Sequence, residues 1–414
     1  MHRLCSLLGM PQHRFASIHV VGTNGKTSVT LMTAALLEAR GVRTGAYISP
    51  HIRDWRERIR IGGEPIDDDA FTRALERTEQ AAEAADRKAP DEEGPVTQFE
   101  LLTAAAFVAF AETRVKIAVI EAGLGGRLDA TNVIPSKLTV LTSVGLDHTE
   151  WLGDTLEEIA AEKLAVLRDH TDLLVADIPE AVLPVVAAEA ARRHVGPEYV
   201  SGGDGFQMRN FALAVSAIRK LLGETGQGRI PMERVRSLLG SIPGRAEVVR
   251  GDPVQVFDAA HNPDGARALA ELLPELVSGP RTSQLMRFTR IRGKKHRRLR
   301  ADPREVICCL AILAEKDAEG IVAALAPVCS LFVCTQVPPE AIAGSGRPAA
   351  DSHPAAELAE LCRAAGVEAE AIVEPLHAWE RAKELARKRN AVALAAGSHY
   401  LLAQIWTERP APSS

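Results

Sequence analysis

Short apolar, β-branched runs alternate along this chain with longer amphipathic or alanine-rich stretches. Ile18 to Val21, Arg43 to Ile48, Lys116 to Ile120 and Leu138 to Val144 read as strands, and Val29 to Ala39, Asp67 to Arg87 and Phe206 to Leu222 as helices. Thr97 and Glu100 stand at capping-box spacing before an alanine-rich helix that runs to Glu112, and Thr155 and Glu158 open the next helix in the same way. Trp55 to Gly63 alternates and ends in Gly-Gly, which predicts a β-hairpin. Strands interleaved with helices predict an α/β fold, a parallel sheet covered by helices on both faces. Ligands of such sheets sit at the carboxyl ends of the strands.

Further along, Asp169 to Gly202 mixes both patterns and Ile230 to Leu239 reads as a helix. Pro and Gly in Ile242-Pro243-Gly244-Arg245 mark a linker, so domains are expected at 1–242 and 243–414. Beyond it, Val254 to Phe257, Val306 to Leu313, Leu331 to Thr335 and Ala391 to Ala395 read as strands. Lys88 to Gly94 and Pro338 to Asp351 read as loops, and the tail from Thr407 as frayed.

Composition narrows the class. The chain has 414 residues, enough for two cores, and its net charge of −5 gives no general pull toward nucleic acid or anionic membrane. Its six cysteines form no C-x-x-C pair, which predicts buried free thiols in a reducing compartment. The start carries no signal-peptide-like apolar region, and Glu112, Arg114 and Lys116 interrupt the longest apolar run. A cytoplasmic, monomeric enzyme without membrane contact is expected.

The chemistry begins at Gly22-Thr23-Asn24-Gly25-Lys26-Thr27-Ser28, between a strand and a helix. Glycines let backbone N–H groups approach phosphate oxygens, the helix N-terminus adds partial positive charge, and Lys26 adds a full one. Thr27 or Ser28 offers a hydroxyl to Mg²⁺. The loop is shorter than the G-x-x-x-x-G-K-[ST] pattern, and an ordinary βα turn explains its glycines but not Lys26 followed by two hydroxyls. Three further strands lead to Ser49, Glu121 and His148. The plain reading is a set of turn residues, and the sharper one is a metal site on the same sheet edge. Glu121 opens a glycine-rich loop that carries Arg127 and Asp129, and Lys163 lies on an otherwise apolar helix face, where a lysine is commonly a snorkelling surface residue.

Together these stretches resemble the folylpolyglutamate synthase/dihydrofolate synthase family of the Mur ligase superfamily. The likeness rests on Gly22 to Lys26, Ser49-Pro50-His51, Glu57-Arg58-Ile59, Glu121 to Asn132, Leu146 to Thr149, Glu162-Lys163, Pro243-Gly244-Arg245 and Phe257 to Pro263, in that order. The resemblance implies a P-loop ATPase domain followed by a smaller Rossmann-like α/β domain. It also implies ATP-dependent amide formation: a pterin-bearing carboxylate takes the γ-phosphate, and the amine of L-glutamate then displaces phosphate. Gly22, Thr23, Asn24, Gly25, Lys26, Thr27, Ser28 and Asn210 would hold ATP. Arg245 at the hinge, Asp258 and His261 would reach it from the second domain. Ser49, Glu121 and His148 would hold Mg²⁺ at up to two positions, with K⁺ as a further candidate ion. Lys163 would be carbamylated by CO₂ into a metal ligand. Phe99, Leu128, Asp129 and Ala130 would face the pterin. Lys26, Lys163 and His148 would be the catalytic residues. Thr27 departs from the family, which more often has Gly there.

Two other readings compete. A peptidoglycan-type Mur ligase places a UDP-sugar-binding domain ahead of the ATPase domain, and only one short helix, Arg3 to Leu8, precedes Gly22 here. A nucleic-acid-dependent P-loop ATPase would use the basic stretch Arg281 to Arg300, but only Phe288 there could stack on a base.

Overall fold

The apolar runs assemble into two sheets, one in each of two compact units, Met1–Gly240 and Ser241–Ser414. The structure, a computed structural model, describes residues 1–88, 94–203, 205–223, 230–233, 235, 242–278, 305–343 and 350–406.

Among the described residues, the first unit holds eight strands: β1 (Ala16–Val21), β2 (Thr44–Tyr47), β3 (Ile59–Ile61), β4 (Glu64–Pro65), β5 (Ile117–Glu121), β6 (Leu138–Leu141), β7 (Asp172–Val175) and β8 (Pro197–Tyr199). They lie in the order β4-β3-β2-β5-β1-β6-β7-β8. The strands from β2 to β8 in that order pair in parallel, and β3 and β4 add an antiparallel edge. β1 is central, with Ile18 level with Val119 of β5 and with Leu138 of β6. The carboxyl ends of β1, β2, β5 and β6 therefore share one edge.

Alternation along the strands decides what packs on each face. Tyr47, Ala118 and Ile120 pack with Ala104 to Phe110 of the helix Gln98–Glu112. Val21, Leu141, Leu173 and Val175 pack with Ile159 and Leu164 of the helix Leu156–Leu164, and with Val186 and Ala190. Phe107 and Phe110 are fully buried, each contributing about 1.5–3 kcal/mol of transfer free energy. Both capping boxes form: the Glu100 amide donates to Thr97 Oγ1 at 3.2 Å, the Glu158 amide to Thr155 Oγ1 at 3.2 Å, and each glutamate returns the bond to its cap.

The second unit holds β9 (Glu247–Val249), β10 (Gln255–Phe257), β11 (Val306–Leu310), β12 (Leu331–Cys334), β13 (Glu368–Ala371) and β14 (Val392–Ala396), in the order β13-β12-β11-β14-β10-β9. All pairs are parallel except β9 with β10. Phe257 anchors its core against Trp379 and Trp406, with ring centroids 5.2 and 5.6 Å apart. All six cysteines are buried and free. No helix among the described residues is long and apolar enough to cross a membrane.

Several sequence expectations change. Trp55–Arg58 is a turn of 3-10 helix, capped by Asp54, so the hairpin shrinks to β3 and β4. β6 stops at Leu141 instead of Val144, and β11 at Leu310 instead of Leu313. Pro339–Ala343 is helical where a loop was expected. The basic stretch, the tail from Thr407 and half of the expected helix over Ile230 to Leu239 lie outside the described residues, as do 89–93 and 344–349 of the two expected loops.

Candidate functional site

The phosphate loop leaves β1 at Gly22 and enters the helix Lys26–Ala39 at Gly25, whose φ of 83° is the left-handed conformation that glycine adopts without strain. A Cβ on Gly25 would stand 2.8 Å from Asn210 Oδ1, so the loop backbone lies directly on the helix Phe206–Leu222. Asn210 is buried, and its Nδ2 has no hydrogen-bond partner among the described residues. Such a donor at a helix N-terminus is a place for an anion or a polar ligand group.

The exit of β6 braces this loop. Thr142 Oγ1 donates to Asn24 O at 2.7 Å, and the Asn24 amide donates to Ser143 Oγ at 2.7 Å. Thr23 Oγ1 donates to Gly145 O at 3.1 Å and accepts from the Gly145 amide at 3.0 Å. Thr23, expected to bind ATP, thus spends its side chain on holding the loop. Thr142 and Ser143 were not singled out from the sequence, because a pair of hydroxyls after a strand carries no signal of its own. Ser143→Ala should raise KM for ATP about 3–10-fold with little loss of kcat, read from steady-state ADP release.

Lys26 Nζ donates to Gly22 O at 3.0 Å and Thr23 O at 3.1 Å, so the ammonium sits over its own loop. Of the two hydroxyls after it, Thr27 Oγ1 donates to Glu121 Oε1 at 3.0 Å, and Ser28 is buried in the helix. The Ser49 amide donates to the other oxygen of Glu121 at 3.3 Å. Thr27, Ser49 and the buried Glu121 therefore meet at one edge. His148 does not end a strand as expected. It lies beyond the end of β6, in a left-handed conformation at the head of the short helix Thr149–Leu152. No cluster of three His, Cys, Asp or Glu side chains suited to a metal occurs among the described residues.

Lys163 is not a snorkelling surface lysine: only 3% of it is exposed. Burial, then the positive charge of Lys26, pushes it down to about 7, while Asp147, Asp129 and Glu162 act in the opposite direction. Asp147 is a further residue of this site, named in the sequence only as part of its stretch. The glycine-rich loop after β5 docks on the lysine's helix. Arg127 donates from its amide to Glu162 Oε1 at 3.1 Å and pairs with Oε2 at 3.0 Å, and a Cβ on Gly126 would stand 2.7 Å from the carbonyls of Glu162 and Lys163.

The four residues expected to face a pterin lie in different settings. The Phe99 ring packs on Gly123 and lies 6.2 Å from the Tyr47 ring. Leu128 is 91% exposed, and Ala130 is buried. Asp129 is buried, and its carboxylate accepts from the amides of Leu124 and Thr131 at 2.8 and 2.9 Å. In the second unit, Asp258 is likewise buried and accepts from the amides of Ala246 and Ala260 at 2.6 and 2.8 Å. Burial raises its carboxyl above the ordinary range, against the charge of Arg245. His261 Nδ1 lies 2.8 Å from Ala259 O, and Arg245 donates to Gly244 O at 3.1 Å. The caps and turns of this segment thus involve all three residues.

Residues 20–202, from β1 to just beyond β8, match the Mur ligase middle domain. The dihydrofolate synthase/folylpolyglutamate synthase of Mycobacterium tuberculosis is 32% identical over 377 residues, which cover 80% of this chain and 72% of that protein. The chain belongs to the dihydrofolate synthase/folylpolyglutamate synthase family. Among family members of known structure, the M. tuberculosis folylpolyglutamate synthase complexed with ADP has a TM-score of 0.81 at 29% identity, covering 99% of this chain and 94% of that one. The bifunctional enzyme of Yersinia pestis complexed with AMPPNP and a Mn ion has a TM-score of 0.75 at 25% identity, covering 98% of this chain and 91% of that one.

Proposed function

We propose that this chain joins L-glutamate to the carboxylate of dihydropteroate, of a folate, or of both, by way of an acyl phosphate made from ATP. Family membership makes it an ATP-dependent acid–amino-acid ligase. The observation that carries the assignment of residues is the burial of Lys163 at a place where the charge of Lys26, on a glycine loop at a helix N-terminus, helps to lower its amine. A carboxylate is a poor acyl donor, and phosphorylation gives it a good leaving group. The protein's task is then to hold the reactants and balance charge.

The amides from Gly22 to Ser28 receive the phosphates, with Asn210 Nδ2 as a further donor. Lys26 moves from its loop carbonyls to phosphate oxygens. The donors at the edge fit a divalent cation: a hydroxyl from Thr27 or Ser49 and a carboxylate from Glu121 are hard oxygen ligands, and so few of them leave positions for water and phosphate. The metal, when bound, neutralises phosphate charge. Glu121, Ser49 and His148 are assigned to hold it, the histidine being an unusual partner for Mg²⁺. Lys163, as a neutral amine, attacks CO₂; a C–N bond forms, one proton leaves, and the side chain becomes an anion. That anion attracts Lys26 and the metal, where the ammonium form repels both. The buried free thiols are consistent with a reducing, cytoplasmic setting.

The test is ADP release with dihydropteroate or tetrahydrofolate, each with and without L-glutamate. Release that needs both the pterin acid and the amino acid is expected. Release stimulated by DNA or RNA and indifferent to pterin would instead favour a nucleic-acid-dependent ATPase.

A further inference from the structure

His19 of β1 is fully buried, and nothing in the mechanism above uses it. Its Nε2 lies 2.8 Å from Thr131 Oγ1, and the Thr131 hydroxyl donates to Asp129 Oδ1. A threonine hydroxyl has one proton. Given to the carboxylate, it leaves the oxygen to accept, so Nε2 of His19 carries the ring proton and Nδ1 the lone pair. Asp129 in turn takes the amides of Leu124 and Thr131, at the two ends of the glycine-rich loop. A chain of three side chains thus runs from the strand that leads into the phosphate loop to the turn expected to face the acid substrate.

The surroundings fit a fixed, neutral imidazole. Thr139 stands level with His19 on β6, and Ser17 lies two residues earlier on the same face of β1. Ser17 Oγ, Thr139 Oγ1 and His19 Nδ1 are all buried without a hydrogen-bond partner among the described residues, a grouping that ordered water can satisfy. Burial, and then the charge of Arg168, pushes His19 down to about 3, so the ring stays neutral through the physiological range.

We propose that His19 is a positioning residue for the acid substrate: through Thr131 it fixes Asp129, and through Asp129 the loop from Leu124 to Thr131. The proposal rests on the reading above that this loop serves the pterin-bearing acid. His19→Leu removes the donor, and His19→Gln keeps an N–H near the position of Nε2. Two quantities separate the possibilities: hydrogen exchange of peptides spanning 122–133, and KM for dihydropteroate beside KM for ATP. For His19→Leu, faster exchange and a KM for dihydropteroate raised about tenfold are expected, with KM for ATP within about twofold, and His19→Gln should recover most of both. If His19→Leu does not fold, Thr131→Val breaks the same chain at nearly constant volume, with the same expectation. Unchanged exchange in a folded variant overturns the proposal. Faster exchange that raises KM for ATP and leaves that for dihydropteroate unchanged overturns the loop's assignment to the acid, and the substrate role of His19 with it, while ATP-dependent ligation stands.

Discussion

Lys26→Ala abolishes glutamate ligation, with a loss on the order of 10²–10³-fold or more in kcat, the scale found when a charge-stabilising group is removed from a reacting centre. Backbone amides and a helix dipole supply partial charges, and Lys26 is the full positive charge on the phosphate loop. Lys26 Nζ donates to two carbonyls of its own loop, Gly22 O and Thr23 O. The melting temperature should move little. Lys26→Arg should not restore the rate, because a planar guanidinium does not fit a cradle shaped for a compact ammonium. The measurements are steady-state ADP release and thermal unfolding of the same preparations. Ligation near the wild-type rate in Lys26→Ala would remove the phosphate assignment.

Lys163→Ala is the second large loss, and it carries a signature that a structural lysine would lack. Small carboxylates such as formate or acetate should restore part of the activity by standing in for the missing anion. The wild-type enzyme should show a carbamate carbon signal in ¹³C-bicarbonate that is absent from the variant. The pH dependence has a definite sign. With its amine near 7, Lys163 is substantially neutral at physiological pH, and each unit below that cuts the neutral fraction about tenfold. Activity in CO₂-depleted buffer should therefore fall steeply from pH 7 to 6. Stability follows the same group. The folded amine is depressed from the ordinary 10.5, so the folded state binds fewer protons than the unfolded state between about 7 and 10.5. Its contribution to stability rises with pH across that window and is lost as pH falls through 7. Lys163→Ala, which removes a buried cation, should melt at or above the wild-type temperature at pH 6 while being inactive. A variant that loses activity because it unfolds would contradict the assignment.

Local chemistry made part of this protein legible from its residues. Both capping boxes need only residues three apart, and both form. The phosphate loop declares itself because a lysine followed by hydroxyls between a strand and a helix has few other uses. What failed to show was set at long range. Trp55–Arg58 alternates like a strand, yet Asp54 caps it as a 3-10 turn, and Arg58 donates to His51 Nδ1 at 2.9 Å. β6 ends early because Thr142 and Ser143 turn to hold the phosphate loop, more than a hundred residues away in the chain. The tie between His19 and Thr131 spans a similar distance, and neither residue advertises it. Lys163 was legible as an oddity on an apolar face. Only its burial beside Lys26 tells a depressed amine from a snorkelling one.

The most direct measurement follows oxygen. Dihydropteroate labelled with ¹⁸O in its carboxylate is turned over with ATP and L-glutamate, and the released phosphate is analysed by mass spectrometry. One ¹⁸O from the carboxylate should arrive in phosphate for each amide formed, because the acid oxygen that took the γ-phosphoryl group leaves with it. Amide formed alongside phosphate free of label would contradict the account.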